Sequence, residues 1–293
     1  MIILSLIAFL VIFSALILVH EYGHFTAAKK SGVKVEEFSL GMGKLLWKKQ
    51  KGETQYSLRA IPFGGYVKML GEEDKSDDPR SFNKAKLWRR MMITLAGVFM
   101  NFVVAILALT VLFTAGTNPI LITDADVERA EAAGLLTLSE EVNEDGKREL
   151  IEIVPIQKPF PQSLLFATTE TYRISIAVVQ KVGEIPVEII RERRIPEGLA
   201  GPVGIAEITH KIVPLGILAL LKLFALLSIS LGVMNLLPIP ALDGGRFLFQ
   251  IVELITFRKP PESWENAIHM VGFILLMGLL VVITWNDIMR VFF

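Results

Sequence analysis

Four long apolar segments set what this chain can fold into. They extend roughly over Met1–Lys29, Met91–Ala115, Pro214–Leu237 and Ile268–Trp285. At a rise of about 1.5 Å per residue, each can cross the roughly 30 Å hydrocarbon core of a bilayer as a helix. The chain is 52% hydrophobic, with a mean hydropathy of +0.52, which is too apolar for an ordinary soluble protein. The sequence therefore predicts an α-helical integral membrane protein with about four transmembrane helices.

The distribution of Lys and Arg predicts how these helices are oriented. The stretch Phe25–Arg90 holds 15 of the 30 basic residues, whereas the loop Gly116–Val213 holds 10 of them against 16 acidic residues. Loops that stay in the cytoplasm carry the excess of Lys and Arg. We therefore expect the connection after the first segment and the one after the third to be cytoplasmic. Both termini and the acidic loop are then expected outside.

Overall composition narrows the partners and the possible metal ligands. The formal net charge is +0 at pH 7, so a nucleic-acid partner is not expected, and the lipid bilayer is the expected environment. The chain contains no cysteine. Disulfides and thiolate ligands are therefore excluded, and a metal would have to bind His, Asp or Glu.

A metal-binding pattern follows the first apolar segment directly. His20-Glu21-Tyr22-Gly23-His24 has the form H-E-x-x-H. On a helix, positions i and i+4 share a face, so His20 and His24 can bind one Zn²⁺ while Glu21 addresses a water at the metal. Ionisable groups at membrane depth are costly and usually functional. The alternative is a signal anchor followed by an unrelated surface motif.

Asp243 is the candidate for a third metal ligand. A catalytic zinc site has three protein ligands and leaves one position open. Asp243 lies at the foot of the third segment, and the charge pattern places that end at the same depth as His20 and His24. Pro238 and Pro240 break the helix there, which is tolerated at membrane depth only where the backbone lines a protein cavity. The alternative is that Asp243 is an ordinary loop acid. Asn101, inside the second segment, fits a packing role or an active-site role equally well.

The regions between the apolar segments predict smaller elements. Lys34–Leu40 and Thr54–Ile61 are rich in strand-forming residues and predict a small sheet at the inner face of the membrane. Pro62–Tyr66 should end the second strand. Gln162–Val182 predicts an amphipathic helix lying on the membrane surface, and Ile185–Ile190 predicts a short strand. Asp124–Leu150 gives no clear fold.

These motifs, taken together, resemble the site-2 protease family of intramembrane zinc metalloproteases, and most closely its bacterial regulator-of-sigma-E protease branch. H-E-x-x-H joined to N-x-x-P-x-x-x-L-D-G at this spacing is highly specific. The matching segments occur in the family's order: His20–Phe25, Gly41–Lys44, Pro62–Leu70, Ala96–Phe102, Gly201–Ile205 and Asn235–Gly245.

The resemblance implies a site. One Zn²⁺ would be held by His20, His24 and Asp243, with Glu21 as general acid and base and Asn235 in contact with the substrate. We expect the protein in the inner (cytoplasmic) membrane, and the charge pattern predicts that the active site lies near its cytoplasmic side. We expect an extended substrate to join a strand edge around Gly41–Gly43 and Tyr56–Ile61, with Gly41, Gly43, Gly64 and Gly65 as substrate-binding residues. The alternative is that these strands only cap the domain.

The chain departs from the family pattern in its outer region. Relatives in this branch usually carry PDZ domains between the second and third spans. Here only about 45 residues separate Gly116 from Gln162, which is too few for a complete PDZ domain. We expect three parts: residues 1–115 as the first half of the membrane core, 116–200 as an outer region without a complete PDZ domain, and 201–293 as the second half.

The sequence thus favours a zinc endopeptidase that cuts transmembrane proteins or peptides, either membrane-tethered regulators or signal-peptide remnants. A divalent-metal transporter is one alternative, because intramembrane His and Asp also mark ion pathways. A transporter should show paired interrupted helices in two halves, whereas one Pro-broken helix is evident. A catalytically inactive membrane scaffold is another alternative. Such a protein would normally have lost Glu21 or a ligand, and neither is lost.

Overall fold

The computed structural model describes residues 1–72, 76–142, 148–192 and 199–292. The helices are α1 Ile2–Lys30, α2 Leu87–Ala115, α3 Asp124–Ala132, α4 Gln162–Glu192, α5 Pro202–Ile212, α6 Ile217–Leu236, α7 Asp243–Thr256 and α8 Glu262–Phe292. The strands are β1 Val35–Lys51, β2 Thr54–Met69, β3 Leu136–Val142 and β4 Arg148–Ile153.

Four of these helices are long and apolar enough to cross a membrane, within the ranges that the structure describes: α1, α2, α6 and α8. This confirms the predicted fold class and the expected number of spans. α2 begins at Leu87, four residues before the predicted apolar segment, and α8 extends beyond its segment at both ends. Apolar composition marks only the part of a helix inside the hydrocarbon, whereas the backbone hydrogen bonds continue into the polar flanks.

The second span, α2, is the centre of the helical bundle. It contacts α1, α4, α6 and α7. The core around its C-terminal half combines α2 with α4 and α6, and its fully buried side chains include Leu109, Leu112, Phe113, Ile174 and Ile229. The N-terminal end of α2 packs against α1 and the β1–β2 sheet. This end of the molecule is thus built around the residues that follow the H-E-x-x-H motif.

β1 and β2 form an antiparallel ribbon that bends back on itself. Phe38 of β1 is paired with both Val67 and Tyr56 of β2, so one β1 segment lies between two segments of β2. Both predicted strands are present but are longer than predicted. The prediction that Pro62–Tyr66 ends the second strand is wrong, because β2 bends there, with φ of +99° at Gly64, and continues to Met69. Pairing with the start of β1 outweighs the local turn signal.

A half-buried ion pair stabilises this ribbon. The Ser57 hydroxyl and the Arg59 guanidinium donate hydrogen bonds to Glu37, at 2.6 and 2.8 Å. Burial would raise the pKa of Glu37, but these bonds hold it below its ordinary value. The carboxylate therefore stays ionised and ties β1 to β2.

The region between α2 and α4, for which the sequence predicts no clear fold, contains α3 and the antiparallel strands β3 and β4. The helix predicted at Gln162–Val182 is present as the first part of α4. The predicted strand at Ile185–Ile190 is wrong, because α4 continues through Pro186 to Glu192. Its β-branched residues favour a strand, yet they have no neighbouring strand to pair with among the described residues. Arg173 of α4 donates to the Ile120 carbonyl at 2.8 Å and pairs with Asp126, which ties α4 to the outer region.

Candidate metal centre

Two histidines of α1 form the first part of the site. His20 and His24 are one helical turn apart, and both are buried near the C-terminal end of α1. Their Nε2 atoms lie 3.2 Å apart. Glu21 stands next to His20 on the same turn. The i, i+4 spacing in the sequence therefore brings both imidazoles to one point, as the motif predicts.

Asp243 completes a triangle with these two rings. Its Oδ2 atom lies 3.1 Å from His20 Nε2 and 3.2 Å from His24 Nε2. Ligands about 2.0–2.1 Å from a tetrahedral zinc ion are separated by roughly 3.3 Å, so this triangle has the size of one face of a zinc site. Within the described ranges, these three residues are the one group of His, Asp and Glu side chains close enough to hold an ion.

The hydrogen bonds of the two rings show that the cluster fits a cation. His24 Nδ1 lies 2.8 Å from the carbonyl oxygen of Ile93. Because a carbonyl can only accept a hydrogen bond, Nδ1 must carry the proton. In the neutral ring, Nε2 is then unprotonated and presents its lone pair. That lone pair points at the carboxylate oxygen of Asp243, which has no hydrogen-bond donor. Acceptors that converge without a proton between them repel one another, and a bound cation removes that repulsion.

His20 has a comparable partner in Asn101. The side-chain nitrogen Nδ2 of Asn101, fully buried on α2, lies 3.2 Å from His20 Nδ1, and Oδ1 of the same amide has no hydrogen-bond partner. With that oxygen turned toward the ring, Nδ1–H donates to it and Nε2 is free for a metal; the oxygen and nitrogen of an amide are exchanged by a simple flip. Of the two roles open from sequence, the structure therefore shows Asn101 in contact with the candidate ligand.

Close contact between α1 and α2 keeps these rings in place. A Cβ added at Gly23 would lie 2.3 Å from the Ala96 carbonyl oxygen, and one at Gly97 would lie 2.4 Å from His24 Nε2. Real Cβ atoms do not come this near to another atom. The two helices can therefore approach to this distance only with glycine at both positions.

The turn before Asp243 depends on glycine in the same way. A Cβ at Gly244 would lie 2.1 Å from the Leu237 carbonyl oxygen, and one at Gly245 would lie 2.5 Å from that of Ile239. The start of α7 thus rests directly on the backbone that follows α6. This explains why the L-D-G-G sequence follows the two prolines.

The cluster opens into a polar cavity of about 560 Å³. One wall is the end of β2, from Tyr66 to Met69, together with Leu70, and the other carries Asn235 and Arg246. The Arg246 guanidinium pairs with Glu72 across the cavity. The Glu72 carboxylate raises the pKa of Arg246 above its ordinary value. Tyr66, Glu72 and Arg246 were not singled out from the sequence, although each lies in or beside a family motif.

The predicted substrate-binding residues fall in different places. Asn235 lines the cavity. Gly65 borders Glu21, because a Cβ there would lie 3.4 Å from Glu21 Cγ. Gly64 packs against Met42, and Gly41 and Gly43 form the bend of β1 against Ile61, with φ of +85° and +79°. The structure thus places Asn235 in the lining of the cavity and Gly65 beside Glu21, whereas Gly41, Gly43 and Gly64 do not line the cavity.

Three side chains at the spacing of metal ligands lie beside a glutamate, in a polar cavity between apolar helices. This arrangement is typical of one class of proteins, the membrane-embedded metallohydrolases. Comparison with known proteins agrees with this class. The model of peptidase family M50 matches residues 8–279. The chain belongs to this family, the site-2 proteases, and is a zinc metalloprotease.

Individual relatives match over nearly their whole length. A "Putative zinc metalloprotease" of Clostridium perfringens is 35% identical over 327 aligned residues, covering 95% of this chain and 97% of the relative. One of the same description from Clostridium acetobutylicum is 35% identical, with coverage of 94% and 95%. The zinc metalloprotease RasP of Shouchella clausii is 28% identical over 419 residues, covering 98% and 99%. That alignment is much longer than this chain, so RasP contains long stretches that have no counterpart here.

Proposed function

We propose that this zinc metalloprotease hydrolyses peptide bonds in or near transmembrane segments of membrane proteins. The observation that carries the proposal is the triangle of His20, His24 and Asp243 beside Glu21, located where three apolar helices meet a polar cavity. Membrane-tethered regulators and signal-peptide remnants are both substrates of this kind. Each presents an apolar segment to the site from within the bilayer.

Zinc would be held by His20 Nε2, His24 Nε2 and Asp243 Oδ2, with Ile93 and Asn101 orienting the two rings. When bound, the metal acts as a Lewis acid on the scissile carbonyl and makes water acidic enough to attack near neutral pH. Glu21 takes the proton of the attacking water and passes it to the leaving amine. Asn235, on the opposite wall, offers an amide for the substrate backbone.

The substrate must be extended, because a helix shields its own peptide bonds. The last segment of β2 supports a binding mode for an extended chain. One edge of this segment pairs with the start of β1, with Ser39 opposite Tyr66 and Phe38 opposite Val67. The same segment lines the cavity beside Glu21. We propose that the substrate adds to its other edge by backbone hydrogen bonds, with Gly65 giving room next to Glu21.

Strand addition predicts a period of two along the substrate. Successive amides of a strand point to opposite sides, so only alternate substrate N–H groups would bond to β2. N-methylation of those amides should lower kcat/KM by about tenfold each, and methylation of the intervening ones should have little effect. A series of singly methylated peptides measures this. Uniform losses along the series would contradict strand addition.

The protease activity itself is tested with purified protein and a synthetic transmembrane peptide in detergent. We expect endoproteolytic cleavage that stops when a chelator removes the metal and returns when zinc is added back. A peptide of the same length without an apolar segment is the matched control and should be cut much less. Cleavage that is unaffected by complete metal removal would overturn the proposal.

We also propose that the protein lies in the inner (cytoplasmic) membrane, with both termini outside and the zinc site near the cytoplasmic side. The basic stretch that contains β1 and β2 supports this orientation. Because the chain has no cysteine, single cysteines report the topology without background. Cysteine at Ser76 or Ser263 should be protected from an impermeant thiol reagent in intact cells, and cysteine at Thr137 should react. The reverse pattern would place the site on the other side.

A further inference from the structure

The turn that carries Asp243 has one backbone donor satisfied from another part of the chain. α6 ends at Leu236 and α7 begins at Asp243, and Pro238 and Pro240 between them have no N–H. Ile239 and Leu242 donate within the turn, to the carbonyls of Leu237 and Ile239. The N–H of Ala241 instead donates to Nδ1 of His269 on α8, at 2.8 Å.

Ala241 adopts a conformation that needs support. Its φ is +77°, in the left-handed region that residues with a Cβ enter at a cost in energy. It stands two residues before Asp243, so rotation of this part of the backbone would move the carboxylate away from His20 and His24. The bond from His269 holds the Ala241 peptide in the orientation that Asp243 requires.

The last transmembrane helix touches the turn with one face. His269 and Gly272 are three residues apart and lie on the same side of α8. Gly272 is buried between exposed neighbours, and a Cβ there would lie 2.4 Å from Pro240 Cβ and 2.6 Å from its carbonyl oxygen. The imidazole of His269 also packs near the ring of Phe249 on α7, with 5.7 Å between centroids. α8 therefore fits tightly over the residues that lead to Asp243.

We propose that His269 is a positioning residue for zinc binding, which fixes the ligand turn from the last transmembrane helix by accepting the N–H of Ala241. The proposal rests on the proposed role of Asp243 as a zinc ligand. It gives α8 a part in the site although α8 supplies no ligand. Outer partners of this kind commonly change metal affinity by about 10–100-fold when they are removed.

Two substitutions of nearly equal shape separate the hydrogen bond from packing. In His269→Asn, the side-chain oxygen can occupy the place of Nδ1 and accept the same N–H, whereas His269→Leu cannot accept it. Zinc release to a chromophoric chelator should be about 10–100-fold faster in His269→Leu and close to wild type in His269→Asn. His210→Leu is the matched control, because His210 bonds to Ser5 in α1 and does not contact the turn.

The outcome is read from zinc release in protein that elutes as a single species in detergent. Equal release from wild type and His269→Leu, or equal acceleration in the Asn and Leu variants, would overturn the proposal. If His269→Leu cannot be recovered folded, Gly272→Ala tests the same contact, and normal release from that variant would overturn it. Wild type that holds zinc but cuts no peptide would contradict the proposed protease activity and leave this inference standing.

Discussion

Glu21→Gln should retain its zinc and lose cleavage of a transmembrane peptide. Glutamine has the shape of glutamate but cannot take a proton from the attacking water. Positioned general acid–base groups contribute about 10²–10⁴-fold, so kcat should fall by at least that range while zinc content stays near that of the wild type. Turnover of the peptide and metal analysis on the same sample measure both quantities.

Glu36→Gln is the matched control for this change. Glu36 lines the same cavity, and its nearest cationic partner is Lys68, at 3.7 Å. Its substitution removes a charge from the cavity without touching the ligand triangle, so cleavage should be largely retained. Substantial turnover by Glu21→Gln would show that another group activates the water.

Asp243→Ala should lose both zinc and activity. It removes one corner of a triangle whose sides are 3.1–3.2 Å, and two imidazoles alone bind zinc weakly. Because removal of an outer partner already costs about 10–100-fold in metal affinity, loss of a ligand should cost more than 100-fold. Metal analysis after purification without added zinc should show a near-stoichiometric content in wild type and almost none in the variant.

Asp77→Ala serves as the control for loss of a carboxylate. Asp77 is exposed and pairs with Lys84, far in sequence from the ligand segments. Its zinc content should match that of the wild type. Unchanged zinc in Asp243→Ala would remove Asp243 from the ligand set, and with it the argument that places His269 in a supporting role.

The sequence predicts the parts of this molecule that depend on local pattern. The four spans follow from runs of apolar residues, and the meeting of His20 and His24 follows from helical spacing. Asp243 could be selected because charge placed the end of the third span at the depth of these histidines. In each case, the information lies within one segment or in the order of segments across a membrane.

The incorrect predictions have a common physical origin. Both predictions, a strand end at Pro62–Tyr66 and a strand at Ile185–Ile190, rest on local composition. In both places, contacts with other parts of the chain determine which secondary structure forms. β2 continues because the start of β1 pairs with its last segment. The hydrogen bond between Ala241 and His269 joins the turn before α7 to α8, across 28 positions of the sequence. No spacing rule within a single helix or strand predicts such a contact.

The two glycines at the crossing of α1 and α2 limit how this enzyme can change. A larger side chain at Gly23 or Gly97 would collide with backbone or with a ligand ring, so the cavity cannot be enlarged or reshaped from that side. Differences in substrate preference must then arise in the walls that leave room for variation, the end of β2 and the turn before α7. The wall that carries His20 and His24 is therefore fixed, and only the opposite walls of the cavity can be redesigned.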